Sequence, residues 1–558
     1  MPTTYTAPGV YIEEIPSSNR STVRVSTSTT AFIGRALRGP VNQAVNINSF
    51  REFQRIFGGL WAESYLGYSV RDFYDNGGRD AFIVRVFKEP DAENSPPSKS
   101  QITIGDLNFE AANPGSWGEN LCVTVDLNVT QKVSDANKLD IDKMFNLTVH
   151  ETIDRYNKKA VIKSESFANL TLEDHQNRVD RVLESQSALL RYKTGDELPS
   201  DLSSVKALAN NGIVTYSVKE SMDSKKKEMD ELSDDKKDEK KALEKQLNAL
   251  KSSDGESLDA NEFIGTGKED SHEGLYALED IHTDEMYNLM CIPPYNVEDV
   301  DPEVINKAAE YCEKKRAFLI VDPPSFWKNK DDAINGLSKI GTNSANAALY
   351  FPRVIAPDPL YDYRPKELAP SGAIAGVIAR TDANIGIWKA PAGVEAVLQG
   401  VDLSIRLTDD DNGELNPIGI NCLRTFPVYG NVVWGARTLQ GNDQLQSEWK
   451  YLNVKRLALY IEESIIRSIK WAVFEPNNET LWAELRVQIG SFLSELFADG
   501  AFQGGSPSEA FFVKVDSTTT TQSEIDQGLV NIVVGIAPVK PAEFIVLTFQ
   551  QQAGQVGK

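Results

Sequence analysis

Residues 301–324 read DPEVINKAAEYCEKKRAFLIVDPP, and the reading of this stretch decides the fold. Val304, Ala308 and Tyr311 recur at helical spacing, and the helix they define runs into the strand RAFLIVD. That is one helix-to-strand unit of an open α/β sheet. A second unit follows, DDAINGLSKIG at 331–341 and NAALYFPRV at 346–354. Far upstream the chain shows the same alternation. TTAFIGRALRGPVN (29–42) predicts a strand and a turn, residues 49–76 predict two short amphipathic helices broken at Gly58-Gly59, and RDAFIVRVF (79–87) predicts another strand. The fold class is therefore α/β, multidomain and with α+β character, its core built from N- and C-terminal parts around a different middle.

That middle begins after the linker composition PDAENSPPS (90–98). LCVTVDLNV (121–129) and MFNLTVHETI (144–153) sit among polar turns and predict a compact β-rich insertion. Residues 219–251 contain ten lysines and ten acidic residues. Met229, Leu232, Leu243, Leu247 and Leu250 make too thin a stripe for a coiled coil, so a solvated helix or helical hairpin is expected. Residues 356–419 are rich in glycine, proline and turn residues. Residues 449–474 form the strongest helix of the chain, and Asn477 or Asn478 caps a second one, which carries Trp482, Leu485, Ile489, Phe492 and Leu496 and leaves at Gly500. Three strand segments close the chain: AFFVKVD, LVNIVVGIAPV and EFIVLTFQ.

The resulting division is 1–25, an extended arm; 26–95, the first part of the core; 96–260, a variable insertion on the outer surface with the charged helix at 219–251; 261–355, an α/β domain; 356–540, the C-terminal core domain; and 541–558, a strand arm. Both ends pose one question. TYTAPGVYIEEI (4–15) is extended, because Pro8 and Gly9 bar a helix, and Phe544–Phe549 has strand chemistry with little chain after it to pair with. An unpaired apolar strand is an aggregation hazard unless something covers it. The residues alone allow the two ends to pair with each other or with other chains.

Composition narrows function mainly by exclusion. With 58 Lys plus Arg against 81 Asp plus Glu, the net charge of −23 repels nucleic-acid phosphates, although it also suits a protein that must stay soluble when concentrated. Cys122, Cys291, Cys312 and Cys422 are too far apart for a CxxC or zinc spacing and read as buried thiols of a reducing compartment. No secretory leader is seen, and no run of about 18 apolar residues points to membrane insertion.

Chemistry leaves no trace either. Gly265-Thr266-Gly267-Lys268 would need Gly at 262 and Ser or Thr at 269 to be a phosphate loop; glutamates stand at both. His150, His175, His272 and His282 are scattered, and the pairs Glu13-Glu14, Asp409–Asp411 and Glu462-Glu463 read as solvated faces. Trp434, Trp449, Trp471 and Trp482 read as core. No catalytic residue, metal site or cofactor is expected. A hydrolase is the remote alternative, and an insertion that also binds a host or cell surface is a compatible one.

At this point the chain resembles a known family. APSGAIAGVIARTDANIGIWKAPAG (369–393), LNPIGINCLRTFPVYGNVVWGARTL (415–439), WKYLNVKRLALYIEESI (449–465), FEPNNETLWAEL (474–485) and GIAPVKPAEFIVLTFQ (535–550) are similar to the contractile tail sheath proteins of bacteriophages and contractile injection systems. So are PGVYIEEI, AFIGRALRGPVN, FREFQRIFGG and VRDFYDNGGRDAFIVRV at the front, whereas about 90–349 departs from the family pattern. The resemblance implies a structural subunit, not an enzyme, assembled in the bacterial cytoplasm as stacked six-membered rings around an inner tube. Baseplate and terminal cap proteins are the other partners, and contraction drives the tube through an envelope. It further implies that terminal strands cross to neighbouring subunits: Val10, Tyr11 and Ile12 at one end, Phe544, Ile545, Val546, Leu547 and Phe549 at the other. The C-terminal domain faces the tube in the family, which makes Lys450, Lys455, Arg456, Arg467 and Lys470 candidate tube contacts; a core helix with basic residues on its wet side is the competing reading.

Overall fold

A computed structural model of the chain describes residues 22–90, 96–155, 158–193, 195–232, 236–265, 269–295 and 299–546. Its centre is an eight-stranded sheet made of β1 (Thr30–Gly34), β2 (Val45–Ile47), β3 (Ala81–Arg85), β4 (Leu289–Cys291), β5 (Phe318–Val321), β6 (Ala347–Phe351), β7 (Ile420–Phe426) and β8 (Gly430–Val433). Across the sheet they lie in the order β8-β7-β6-β5-β4-β1-β3-β2. The six inner strands are parallel and both edge pairs are antiparallel.

Parallel strands covered on both faces must be apolar throughout, and these are. Alternate residues serve opposite sides: Ala31, Ile33, Val84, Leu319 and Leu349 pack with α3 (Pro302–Lys315), the helix quoted at the outset. Phe32, Ile83, Phe318 and Tyr350 face the other way, against α1 (Phe50–Phe57), α2 (Leu66–Asp75) and α4 (Ser371–Asn384). Ser49 caps α1 by accepting from the Glu52 N–H, and Gly58 ends it in the left-handed conformation, φ 93°.

Helix α4 corrects the turn-rich reading of 356–419. Its glycines are there for contact and not for turning: a Cβ at Gly372 would stand 2.1 Å from the Ser69 carbonyl oxygen, and one at Gly376 would stand 2.5 Å from that of Phe73. These two positions, one helical turn apart, let α4 lie directly on α2. A composition that looks like loop is thus the composition of a close helix pair.

The insertion between β3 and β4 has a core of its own, including Ile102, Phe109, Trp117, Val123, Leu147, Leu183 and Val218. One of its sheets orders Ile213–Ser217, Leu121–Asp126, Met144–Arg155 and Lys158–Thr171; a smaller one holds Gln101–Ile104, Leu107–Ala111 and Leu190–Tyr192. Helices Val218–Glu231 and Lys237–Leu250 pack on each other as a hairpin, with Lys225 Nζ donating to Gln246 Oε1 at 2.6 Å. One buried arginine and one half-buried one tie the insertion to the sheet. Arg85 gives its three kinds of nitrogen to the carbonyls of Ala36, Gly39 and Pro114, and burial lowers its pKa to about 9. Arg38 donates one guanidinium nitrogen to both carboxylate oxygens of Glu151 at 2.7 Å.

The expected helix at 449–474 is α5 (Leu452–Ser468), tightening into a 3-10 turn at Lys470–Ala472. Asn478 caps α6 (Glu479–Ala498), accepting from the Thr480 and Leu481 N–H groups. Leu457, Tyr460, Ile461, Ile489, Phe492 and Leu493 join the two helices, with the antiparallel pair Phe511–Lys514 and Val533–Ile536 against them.

Candidate assembly surface

The place where an open α/β sheet usually holds a ligand is closed. Strand order reverses at β1, and the crevice beyond the carboxyl ends of the strands there is the ordinary binding position. Arg35, directly after β1, reaches the carbonyls of Asp254 and Gly255 at 3.1 and 2.8 Å, so the insertion covers that end. Asp322, directly after β5, accepts from the Ser371 N–H and hydroxyl at 2.8 and 2.7 Å, and burial pushes its carboxyl up to about 6. Among the described residues no cluster of His, Cys, Asp or Glu could hold a metal ion, and no helix is long and apolar enough to cross a membrane.

The notable surfaces lie where the chain ends leave the body. At the C-terminal root, Arg437 is wholly buried and donates to Glu543 at 2.8 and 2.6 Å, to Asp443 at 2.9 Å and to the Gly441 carbonyl. The Tyr451 hydroxyl and Lys450 also reach Glu543, and Asn453 donates to the Val539 carbonyl at 3.1 Å. Immediately after this bolt, Phe544, Ile545 and Val546 stand 75%, 83% and 86% exposed. Residues 540–546 enter no backbone–backbone hydrogen bond among the described residues. Residues 540–544 border a groove of about 480 Å³ walled by Trp388, Trp434 and Ala436. Leu547 and Phe549 lie outside the described residues.

Burial would raise the Glu543 carboxyl, but Arg437, with help from Lys450 and Tyr451, holds it below the usual carboxylate range. A depressed carboxylate adds stability above its unfolded pKa of about 4.3, and that stability is lost as pH falls through the lower folded value. The root is therefore expected to hold at pH 7 and loosen only below about pH 4.3. Glu543→Gln should loosen it at neutral pH; limited proteolysis of the C-terminal segment would show both.

The N-terminal root is fixed to the same helix. The Val23 N–H bonds the Ser468 hydroxyl at 3.0 Å, Arg24 pairs with Glu495 of α6 and with Asp499 at its C-terminal end, and Arg456 donates to the Thr27 carbonyl at 2.7 Å. Asn288 donates to the Ser26 carbonyl, which ties the segment to the start of β4. Val10, Tyr11 and Ile12 lie outside the described residues.

Of the five basic residues singled out between 450 and 470, on this helix and at its two ends, the fold occupies four. Arg456 is buried in a two-pronged pair with Asp382, with both side chains 2% exposed. Lys450 pairs with Asp443, and Arg467 with Glu463 and the Asp284 and Glu285 carbonyls. Lys455 lies over the Trp449 ring at 4.5 Å, and burial pulls its ammonium below the ordinary value. Lys470 is exposed. Of the four tryptophans read as core, Trp482 is buried and the other three are half-buried; Cys122 is half-buried as well. Sequence reasoning missed Arg437 and Glu543, because partners 106 residues apart leave no local signal.

A parallel sheet covered on both faces, and a C-terminal segment that leaves the body at 544–546 with no backbone partner among the described residues, fit the tail sheath class of protein. The chain belongs to the phage tail sheath family: residues 265–439 match its central domain and 445–552 its C-terminal domain. A tail sheath protein of Vibrio phage KVP40 is 29% identical over 242 residues, 42% of this chain and 34% of that one. That of Enterobacteria phage T4 is 28% identical over 178 residues, 32% of this chain and 26% of that one. The matches thus span about a third or less of these relatives. In fold, the sheath of an extracellular contractile injection system, PVC, in the contracted state covers 99% of both chains at a TM-score of 0.54 and 22% identity. A sheath tail protein of Listeria innocua covers 93% of this chain and 96% of that one at 0.53 and 12%.

Proposed function

We propose that this chain is the repeating subunit of a contractile sheath. It polymerises as stacked rings of six around an inner tube in the bacterial cytoplasm, joined to baseplate and terminal cap proteins, and its contraction drives the tube through a target envelope. The observation that carries this reading is the C-terminal root: a segment bolted by a buried ion pair and then released at its next residue, apolar and with no backbone partner among the described residues. An edge of that kind binds by strand addition, and each backbone hydrogen bond contributes about 0.5–1.5 kcal/mol. A contact between unlike surfaces that does not close on itself yields an open helical array. Val10–Ile12 are the matching strand at the other end, and the insertion at 96–260 decorates the outside.

Negative-stain microscopy of the full chain expressed with its tube and baseplate proteins tests this. Long hollow cylinders with helical striations are expected. A monodisperse monomer under those conditions overturns the reading.

A further inference from the structure

The chain holds four Asn-Gly pairs: Asn76-Gly77, Asn211-Gly212, Asn335-Gly336 and Asn412-Gly413. In such a pair the glycine nitrogen can attack the carbonyl carbon of the asparagine side chain, because glycine has no Cβ to hinder the approach. The attack needs a side-chain amide free to swing onto the backbone and a glycine N–H that is not spent on another bond. The fold treats the four pairs differently.

Three are held. Asn76 is wholly buried; its amide donates to the Asp72 carbonyl at 2.9 Å and the Gln399 carbonyl at 3.3 Å, and its oxygen accepts from the Gln399 N–H at 2.8 Å. Asn335 and Asn412 lie inside the helices Lys330–Gly336 and Asp409–Leu415, where backbone N–H groups are spent on carbonyls one turn back. Gly336 is also covered by the Trp327 ring. Asn211 is the exception. It is exposed, and neither its side chain nor the Gly212 N–H enters a hydrogen bond among the described residues. Asn210 and Ile213 exchange backbone bonds at 3.0 Å around it, and positive φ at both Asn211 (51°) and Gly212 (81°) makes a two-residue type I′ hairpin turn. Loop tips open locally at little free energy, whereas helices and buried networks do not.

We infer that Asn211-Gly212 is the chain's site of spontaneous deamidation. The Gly212 nitrogen attacks Cγ of Asn211; the new C–N bond closes an imide ring, the bond to the side-chain nitrogen breaks, and that nitrogen leaves as ammonia with the proton from Gly212. Water then opens the ring at either carbonyl. One product is aspartate, and the other is isoaspartate, in which the main chain runs through the former side chain. The extra backbone carbon of isoaspartate does not fit a two-residue turn. That turn is stitched to its neighbours, with Asn128 Nδ2 donating to the Asn211 carbonyl at 3.2 Å and the Leu127 N–H to the Gly212 carbonyl at 2.8 Å. The strand after it, Ile213–Ser217, pairs with Leu121–Asp126 and runs straight into the helix Val218–Glu231. Isoaspartate therefore loosens the base of the charged helical hairpin, while Arg85 and Arg38 still hold the insertion to the sheet.

The test ages full-length protein in warm, weakly alkaline buffer and maps it by peptide mass spectrometry, with an isoaspartate-specific methyltransferase to tell the two products apart. Deamidation at Asn211 is expected to run at least tenfold faster than at Asn76, Asn335 or Asn412, and the four rates should converge in the urea-unfolded chain. Asn211→Gly keeps a residue at home at positive φ and removes the amide. Protease cleavage within 218–250 should rise with age in the wild type and stay at its fresh level in this variant. A folded protein that reacts fastest at another of the four sites, or not at all while the unfolded chain reacts, overturns the inference. Equal ageing of the hairpin in wild type and Asn211→Gly overturns its structural consequence.

Discussion

Replacing Arg456 by alanine is expected to lower the stability of the free subunit by about 3–5 kcal/mol, the usual consequence of removing one partner from a buried ion pair. Asp382 would be left in a nearly dry site, its side chain 2% exposed, with both prongs of its guanidinium gone. The Thr27 carbonyl would lose its donor as well, so the N-terminal root should loosen together with the body. Arg456→Lys should be intermediate, since an ammonium cannot reproduce the two-pronged geometry. Arg456→Met combined with Asp382→Leu should recover most of the loss, because an apolar pair leaves no orphan charge. Thermal unfolding of the three variants checks the series. A single-alanine cost below about 1 kcal/mol would show that the pair does not secure the helix.

A chain ending at Glu543 should separate folding from assembly. It keeps the ion pair with Arg437 and, of the described residues, loses Phe544, Ile545 and Val546, each at least 75% exposed. Removing exposed side chains changes stability by about 0.5 kcal/mol or less. The unfolding midpoint should therefore stay near wild type while cylinders disappear. Ending the chain at Ala542 instead removes the carboxylate and leaves Arg437 buried against Asp443 and the Gly441 carbonyl, so that variant should unfold earlier. Equal cylinder yields from the chain ending at Glu543 and the full chain would show that the arm is dispensable.

The readable parts of the sequence were those whose structure is local. Val304, Ala308 and Tyr311 repeat within one helix, and the strands on either side are apolar runs, so the α/β units between 301 and 351 follow from spacing. The sheet order does not, because β4 returns to β1 after an insertion of about two hundred residues that carries no trace of its destination. Helix α4 was hidden by its own contact, since Gly372 and Gly376 are small for the sake of α2 and read as breakers in isolation. The basic residues along α5 were visible as charges, but the direction of Arg456 depends on Asp382, 74 residues before it, just as that of Arg437, ahead of the helix, depends on Glu543, 106 residues after it. The strand chemistry of Phe544–Val546 was legible in full, whereas its partner lies outside the stretch that any periodicity could reveal.

Helix α5 holds the C-terminal root at one end, through Asn453, and the N-terminal root at the other, through Ser468. Seventeen residues at 1.5 Å each make it a strut of about 25 Å. If both chain ends are pulled by neighbours, tension enters at one end of this strut and leaves at the other, like the load in a tie rod. The sheet shares in that load, since the N-terminal root runs on into β1 and is tied to the start of β4 through Asn288, whereas the insertion lies outside it. The insertion can turn as a passenger, and it can differ from its relatives without weakening the cable.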